Sequence, residues 1–224
     1  MRAIAYAAGA LCVVATVAQG DVVYSDGTFT PSMWGFETVI LGSGSSAPSQ
    51  TNTGNPGFAR RLDNSVGGFS TVWGLSRYGT NQATRYEPVN QGAILSVDFS
   101  IDHRFVSGTA EDGQIIRLGA KQGSYVYAAG FAVTGTSGNW GSTSFLGMTA
   151  ADFVALNGGA PIDFSATADP IRFGFVVGNA SSGANGATAI VDYDNFFVRV
   201  VPVPSPGAAG CLLGGLGLLA RRRR

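Results

Sequence analysis

Between residues 95 and 102 apolar and polar positions alternate: Leu95, Val97, Phe99 and Ile101 against Ser96, Asp98, Ser100 and Asp102. A period of two with one apolar face predicts a strand in a sheet packed on one side only. Ile171, Phe173, Phe175 and Val177 repeat the pattern against Arg172, Gly174 and Val176. Residues 114–121 and 124–133 flank Gln122-Gly123 and predict a hairpin in which Tyr125, Tyr127, Phe131 and Val133 share a face. The last strand, residues 189–201, slips in phase. Val191 and Tyr193 are apolar on odd positions, whereas Phe196, Val198 and Val200 are apolar on even ones, so a bulge is expected near Asp194-Asn195.

Shorter elements complete the pattern. Residues 21–29 predict a first strand broken by the Asp26-Gly27 turn, and residues 36–41 a second. Residues 42–56 are Gly, Ser, Thr and Asn-rich and read as a long surface loop. Thr149, as an N-cap with Asp152 three residues on, predicts one helical turn within residues 149–156. Roughly ten short strands in about 180 residues predict an all-β, two-sheet antiparallel sandwich of jelly-roll, lectin-like form. One short helical turn and apolar helices at the two termini complete that expectation.

Composition sharpens this. Thirty-three glycines and only 12% charged residues suit many turns and few salt-bridged helices. The formal charge is zero, but Arg2, Arg221, Arg222, Arg223 and Arg224 lie in the terminal segments, leaving nine basic against fourteen acidic residues between them. An acidic body argues against nucleic acid, whose phosphates need a basic surface. Both cysteines, Cys12 and Cys211, fall in the terminal apolar runs, so the body has no disulfide framework. Residues 1–20, with Arg2, an apolar run over residues 3–17, then Ala18 and Gly20, have the form of a secretory signal for signal peptidase. Three segments follow: signal peptide 1–20, sandwich 21–200 and C-terminal segment 201–224.

No catalytic constellation stands out. His103 is the only histidine and reads as a surface loop residue; Asp98 and Asp102 read as a solvated strand face. A polysaccharide-active enzyme on the same fold, using Asp98, Asp102 or Glu111, is the alternative reading to a non-enzyme. Asp192, Asp194 and Asn195, beside the expected bulge and with Asp21 or Asp26 brought near by the first strand, have the oxygen chemistry of a Ca²⁺ site. The other reading is of acids that cap turns and keep an edge strand soluble. Trp34, Trp73, Trp140, Tyr78 and Tyr86 include candidates for a sugar-stacking platform beside the more ordinary role of core packing.

The chain ends in VPVPSP (residues 201–206), an apolar Gly/Leu/Ala run (207–220) and Arg221, Arg222, Arg223 and Arg224. That order resembles the PEP-CTERM sorting signal of exopolysaccharide-producing bacteria, in which a V-P-E-P motif precedes a hydrophobic segment and an arginine cluster. Here Val203 stands between Pro202 and Pro204 where the glutamate is usual. The resemblance implies recognition by an exosortase, transient membrane insertion, loss of the tail and delivery to the cell surface, outer envelope or extracellular matrix. The arginines are expected on the cytoplasmic side, and the apolar run spans about 21 Å as a helix against about 30 Å of hydrocarbon. SDGTF (residues 25–29), NPGFAR (55–60) and DYDNFFV (192–198) are similar to pieces of the domains that commonly precede this signal. This implies a structural or carbohydrate-binding protein with extracellular polysaccharide as its partner.

Overall fold

The computed structural model describes residues 20–81 and 84–204. The expected terminal helices, most of the signal segment and the arginine cluster lie outside them. No helix among the described residues is long and apolar enough to cross a membrane.

The body is a sandwich of two antiparallel six-stranded sheets. The first carries β3 (Gly44–Gly54), β4 (Gly57–Val66), β12 (Ala187–Pro202), β6 (Ile94–Gly108) and β9 (Gly141–Met148) in that spatial order, with β1 (Val22–Asp26) also on β12. The second runs β10 (Val154–Ala155), β8 (Tyr125–Val133), β7 (Ile115–Gln122), β11 (Ile171–Ala180), β5 (Thr71–Tyr78) and β2 (Trp34–Leu41). Among the described residues the one α-helical turn is α1 (Pro88–Gln91). The expected turn after Thr149 is a 3₁₀ turn, Ala150–Asp152, with the Thr149 N–H and hydroxyl both donating to Asp152 Oδ2 at 2.8 Å.

β12 organises the first sheet. One edge pairs with β6 along nearly its whole length; the other pairs with β4 from Ala187 to Tyr193 and with β1 from Phe196 to Val200. The register shifts between Asp194 and Phe197, where Asn195 takes φ 51°, so the bulge lies where the phase slip places it. It keeps Val191, Tyr193, Phe196, Val198 and Val200 all in the core through the change of partner.

Three local expectations are corrected. Residues 42–56 are mostly β3, an edge strand that is largely exposed and whose half-buried positions, Ser46, Thr51 and Gly54, are polar or small, so its sequence shows no apolar alternation. Leu95 is exposed while Ile94 is buried, because the pairing with β12 shifts between Val201 and Pro202. Tyr127 does not share a face with Phe131 and Val133. The β7–β8 register shifts between Ile116 and Leu118, leaving Tyr127 and Ala129 in the core and turning Phe131 outward. Gly130 occupies that bulge at φ 71°, and a Cβ there would stand 2.7 Å from the Phe145 ring.

The core also holds polar side chains that tie the sheets together. Gln114, fully buried, donates through Nε2 to the carbonyls of Leu62 and Ala189 (3.1 and 2.8 Å) and accepts from the Tyr193 hydroxyl at 2.7 Å. Asn64 Nδ2 donates to Asn179 Oδ1, and Asn179 Nδ2 to the Gly113 carbonyl. Arg60 points inward from β4, donates from Nε to Ser76 Oγ at 2.8 Å and lies over the Trp34 ring at 5.4 Å. Burial lowers its pKa to about 10.

Replacing Gln114 with leucine strands the Tyr193 hydroxyl and removes two inter-sheet donors. It is expected to lower unfolding free energy by about 2–3 kcal/mol in urea titration, and Gln114→Glu to cost more, because a second oxygen would then face both carbonyls in a fully buried place.

Candidate functional site

The outer face of the second sheet collects side chains that the core leaves behind. On β11, Arg172, Gly174, Val176 and Gly178 alternate with the core residues Ile171, Phe173, Phe175 and Val177. Pairing sets Gly178 between Trp73 and Ile115, Val176 between Leu75 and Arg117, and Gly174 between Arg77 and Gly119, while Arg172 faces Lys121. Val39 and Glu37 of β2 oppose Trp73 and Leu75. The Trp73 indole lies across Gly178, where a Cβ would be 2.2 Å from the ring. Beneath these groups Leu75, Val126, Ala128 and Val176 form a second buried apolar cluster, packed by Val39, Trp73 and Leu156. Long charged side chains shield such a cluster with their stems while their heads stay in water.

At one end of this face is a cavity of about 530 Å³ whose lining includes Ile115, Phe131, Val133, Glu111, Asp112 and Asn179. Phe131 is 65% exposed and Val133 43%, an orientation imposed by the bulge at Gly130. Asn179 is a fixed wall, because both ends of its amide are bonded within the protein. The loop residues Ser181 and Asn185 add polar groups to the rim. An open aromatic face beside carboxylates, amides and hydroxyls suits a ligand with apolar C–H faces and many hydroxyl groups.

Further along the same face, Glu37 holds two cations. Its Oε1 lies 3.0 Å from Arg77 Nε, and its other oxygen accepts from Lys121 Nζ. Arg85 pairs with Glu87 at 2.7 Å. Arg117 donates to the carbonyls of Gly130 and Ala128. Sequence reading did not single these residues out. The available signal is an isolated charge at the outward positions of otherwise apolar strands, but strand neighbours are set by topology.

The residues that the sequence did single out lie mainly on the first sheet, and the structure divides them. Asp192 is directly opposite both Arg61 and Arg104 and receives bonds from both guanidinium groups at 2.7 Å and from Thr53 Oγ1 at 2.9 Å. Burial raises its pKa, and these three partners outweigh that and hold it below the usual carboxylate range. Its charge is thus already met by the protein's own cations. Asp194 is across the ladder from Asp102, two carboxylates in directly opposed positions. Asp194 accepts from the N–H groups of Asn55 and Asn195, Asp102 from the Asn195 amide at 2.8 Å, and Asp26 from the N–H groups of Thr28 and Phe29 and the Trp34 indole. Burial first, then the charges of Asp102 and Asp26, push the Asp194 pKa up. Among the described residues no group of three or more His, Cys, Asp or Glu side chains is placed to hold a metal ion. Asp21 lies 3.8 Å from Arg199.

Asp98, a catalytic candidate in the enzyme reading, is instead bonded to Arg199 and to the Gly147 N–H. His103 is not a loop residue: it sits within β6, 8% exposed, with Nε2 3.0 Å from Thr143 Oγ1, and burial lowers its pKa. Of the aromatic candidates, Trp34 and Tyr86 are buried and Tyr78 packs on the core. Trp140 lies under the Arg104 guanidinium at 5.0 Å. Trp73 alone among them belongs to the outer face described above. Of the sorting motif, Pro202, Val203 and Pro204 are described, with Val203 N–H donating to the Ala93 carbonyl at 2.7 Å; Arg221 to Arg224 lie outside the described residues.

No family model matches the sequence, and no curated protein matches it. Among solved structures, the fold is similar to the family 11 carbohydrate-binding module of the cellulosomal cellulase Lic26A-Cel5E of Clostridium thermocellum. Identity is 9%, the match covers 84% of this chain and 97% of that one, and the TM-score is 0.46. It is also similar to the CBM22-1 xylan-binding domain from Paenibacillus barcinonensis Xyn10C, at 11% identity, 84% and 99% coverage and TM-score 0.42.

A carboxyl with a raised folded pKa stabilises the fold only while protonated. Its contribution is full below the ordinary carboxylate value and is lost as pH rises through the folded value. Relative to Asp194→Asn, wild type is therefore expected to gain stability in urea titration as pH falls from 7 toward 4. A variant less stable than wild type in calcium, and equal to it in EDTA, would show instead that the carboxylate serves a cation.

Proposed function

We propose that the protein is an exported, non-catalytic glycan-binding sandwich of the cell surface or extracellular matrix. Its binding surface is the outer face of the second sheet. The observation that carries this reading is the cavity beside Phe131. A large aromatic ring is turned 65% out of the fold by a built-in bulge, next to a polar cavity of about 530 Å³ and on the same face as Trp73. Exposing aromatic surface in water is unfavourable, so a fold that holds it out on a rigid sheet is organised for contact with a ligand. Aromatic faces meet the C–H faces of sugars, and Glu111, Asp112 and Ser181 supply groups for hydroxyls.

Export is supported by the form of residues 1–20, and surface sorting by the Pro-rich, apolar and arginine order of residues 201–224. On this reading signal peptidase and an exosortase are processing partners and extracellular polysaccharide is the ligand.

Binding of soluble polysaccharides by the full chain in affinity electrophoresis tests the site. Phe131→Ala and Trp73→Ala are each expected to weaken binding by roughly tenfold with the melting midpoint nearly unchanged for Phe131→Ala. Retained affinity in both variants would place binding elsewhere. Polysaccharide turnover that disappears in Glu111→Gln would replace binding by catalysis.

A further inference from the structure

The charged part of this face carries more cations than acids. The body is acidic, yet Arg77, Lys121 and Arg172 surround a single carboxylate, Glu37. Elsewhere each cation has a partner: Arg61 and Arg104 share Asp192, Arg199 has Asp98, Arg85 has Glu87, Arg60 bonds Ser76 and lies over Trp34, and Arg117 bonds two backbone carbonyls. Arg172 forms no ion pair or hydrogen bond among the described residues, and its Nε is buried without a partner. Arg77 Nε is near Glu37 Oε1 but not aligned for a hydrogen bond, so it too lacks one. Arg172 is also directly opposite Lys121 on the ladder. Like charges in that position cost stability, and burial together with Arg77 and Arg85 lowers the Arg172 pKa.

The space between the three cations has a defined floor. Gly174 and Gly119 lie side by side between Arg77 on one flank and the Arg172–Lys121 pair on the next row. Leu75 Cδ1 and Val176 Cγ2 lean over Gly119, 2.6 and 3.0 Å from where its Cβ would be. The Arg77 guanidinium lies over Gly35 on the β2 side and Lys121 reaches to Glu37, so the donors flank this apolar strip. A planar or tetrahedral anionic group attached to a larger apolar-faced molecule fits such an arrangement, since guanidinium groups bond carboxylate and sulfate oxygens in pairs.

We propose that Arg77, Arg172 and Lys121 form a subsite for the anionic group, carboxylate or sulfate ester, of an acidic polysaccharide whose sugar rings contact Trp73 and Phe131. The subsite rests on the glycan-binding reading above and specifies its ligand class. Glu37 acts as the internal counter-ion that holds Arg77 and Lys121 in place when no ligand is bound.

The test uses the full chain in affinity electrophoresis with four probes: polygalacturonate, its carboxyl-reduced neutral form, dextran sulfate and dextran. Expected is binding of at least one acidic polymer roughly tenfold tighter than its neutral counterpart, weakened by added salt. Arg172→Gln should remove that preference and most of the salt dependence, and Arg172→Lys should keep part of it. Melting midpoints check that both variants fold, and Arg199→Gln on the opposite sheet is the control for overall charge. Polygalacturonate against dextran sulfate separates carboxylate from sulfate. Equal affinity for acidic and neutral polymers, or an acidic preference that survives in Arg172→Gln, overturns the subsite while leaving glycan binding intact. Failure of all four polymers to bind overturns both.

Discussion

In a two-sheet sandwich each strand points alternate side chains to opposite faces, and one extra residue reverses every side chain beyond it. Three such shifts decide what this molecule presents. The bulge at Asn195 keeps the apolar side of β12 in the core while its edge partner changes from β4 to β1. The shift near Ile94 buries that residue and exposes Leu95. The bulge at Gly130 sends Tyr127 inward and Phe131 outward. Without the first the sheet loses its continuity, and without the third the cavity at the end of the outer face loses its aromatic wall.

The two sheets differ in how they treat charge. On the first, acids and arginines meet as cross-strand partners: Asp192 with Arg61 and Arg104, Asp98 with Arg199. Beside them the carboxylates of Asp194 and Asp102 stand directly opposed. On the second, the charges converge over a buried apolar cluster and remain out of balance. The buried amides of Gln114, Asn64 and Asn179 link the sheets, and Asn179 reaches from that network to the cavity wall. Rigidity of the core is therefore passed directly to the site.

Much of the fold was legible from period-two patterning, because burial on one face leaves an apolar record at every second residue. β11, the inner part of β6 and both halves of β12 carry that record, and the Asn195 bulge shows in it as a reversal of phase. β3 left none, since its half-buried positions are polar or small. The site was less legible. Trp73 and Phe131 are visible as aromatics, but the half-buried seat of Trp73 depends on Gly178 beneath it and the exposure of Phe131 on the register shift before it.

What the sequence by itself determined is the class of fold and the bulge in its last strand. These follow from local order along the chain: alternation, phase and the succession of residue types. Tertiary structure decided which charges meet. Asp192 went to two arginines, Asp194 to the turn at Asn55, and Arg172 to a place beside Lys121 with no acid of its own. Such pairings join residues as many as 139 positions apart, and only strand order and register bring them within reach.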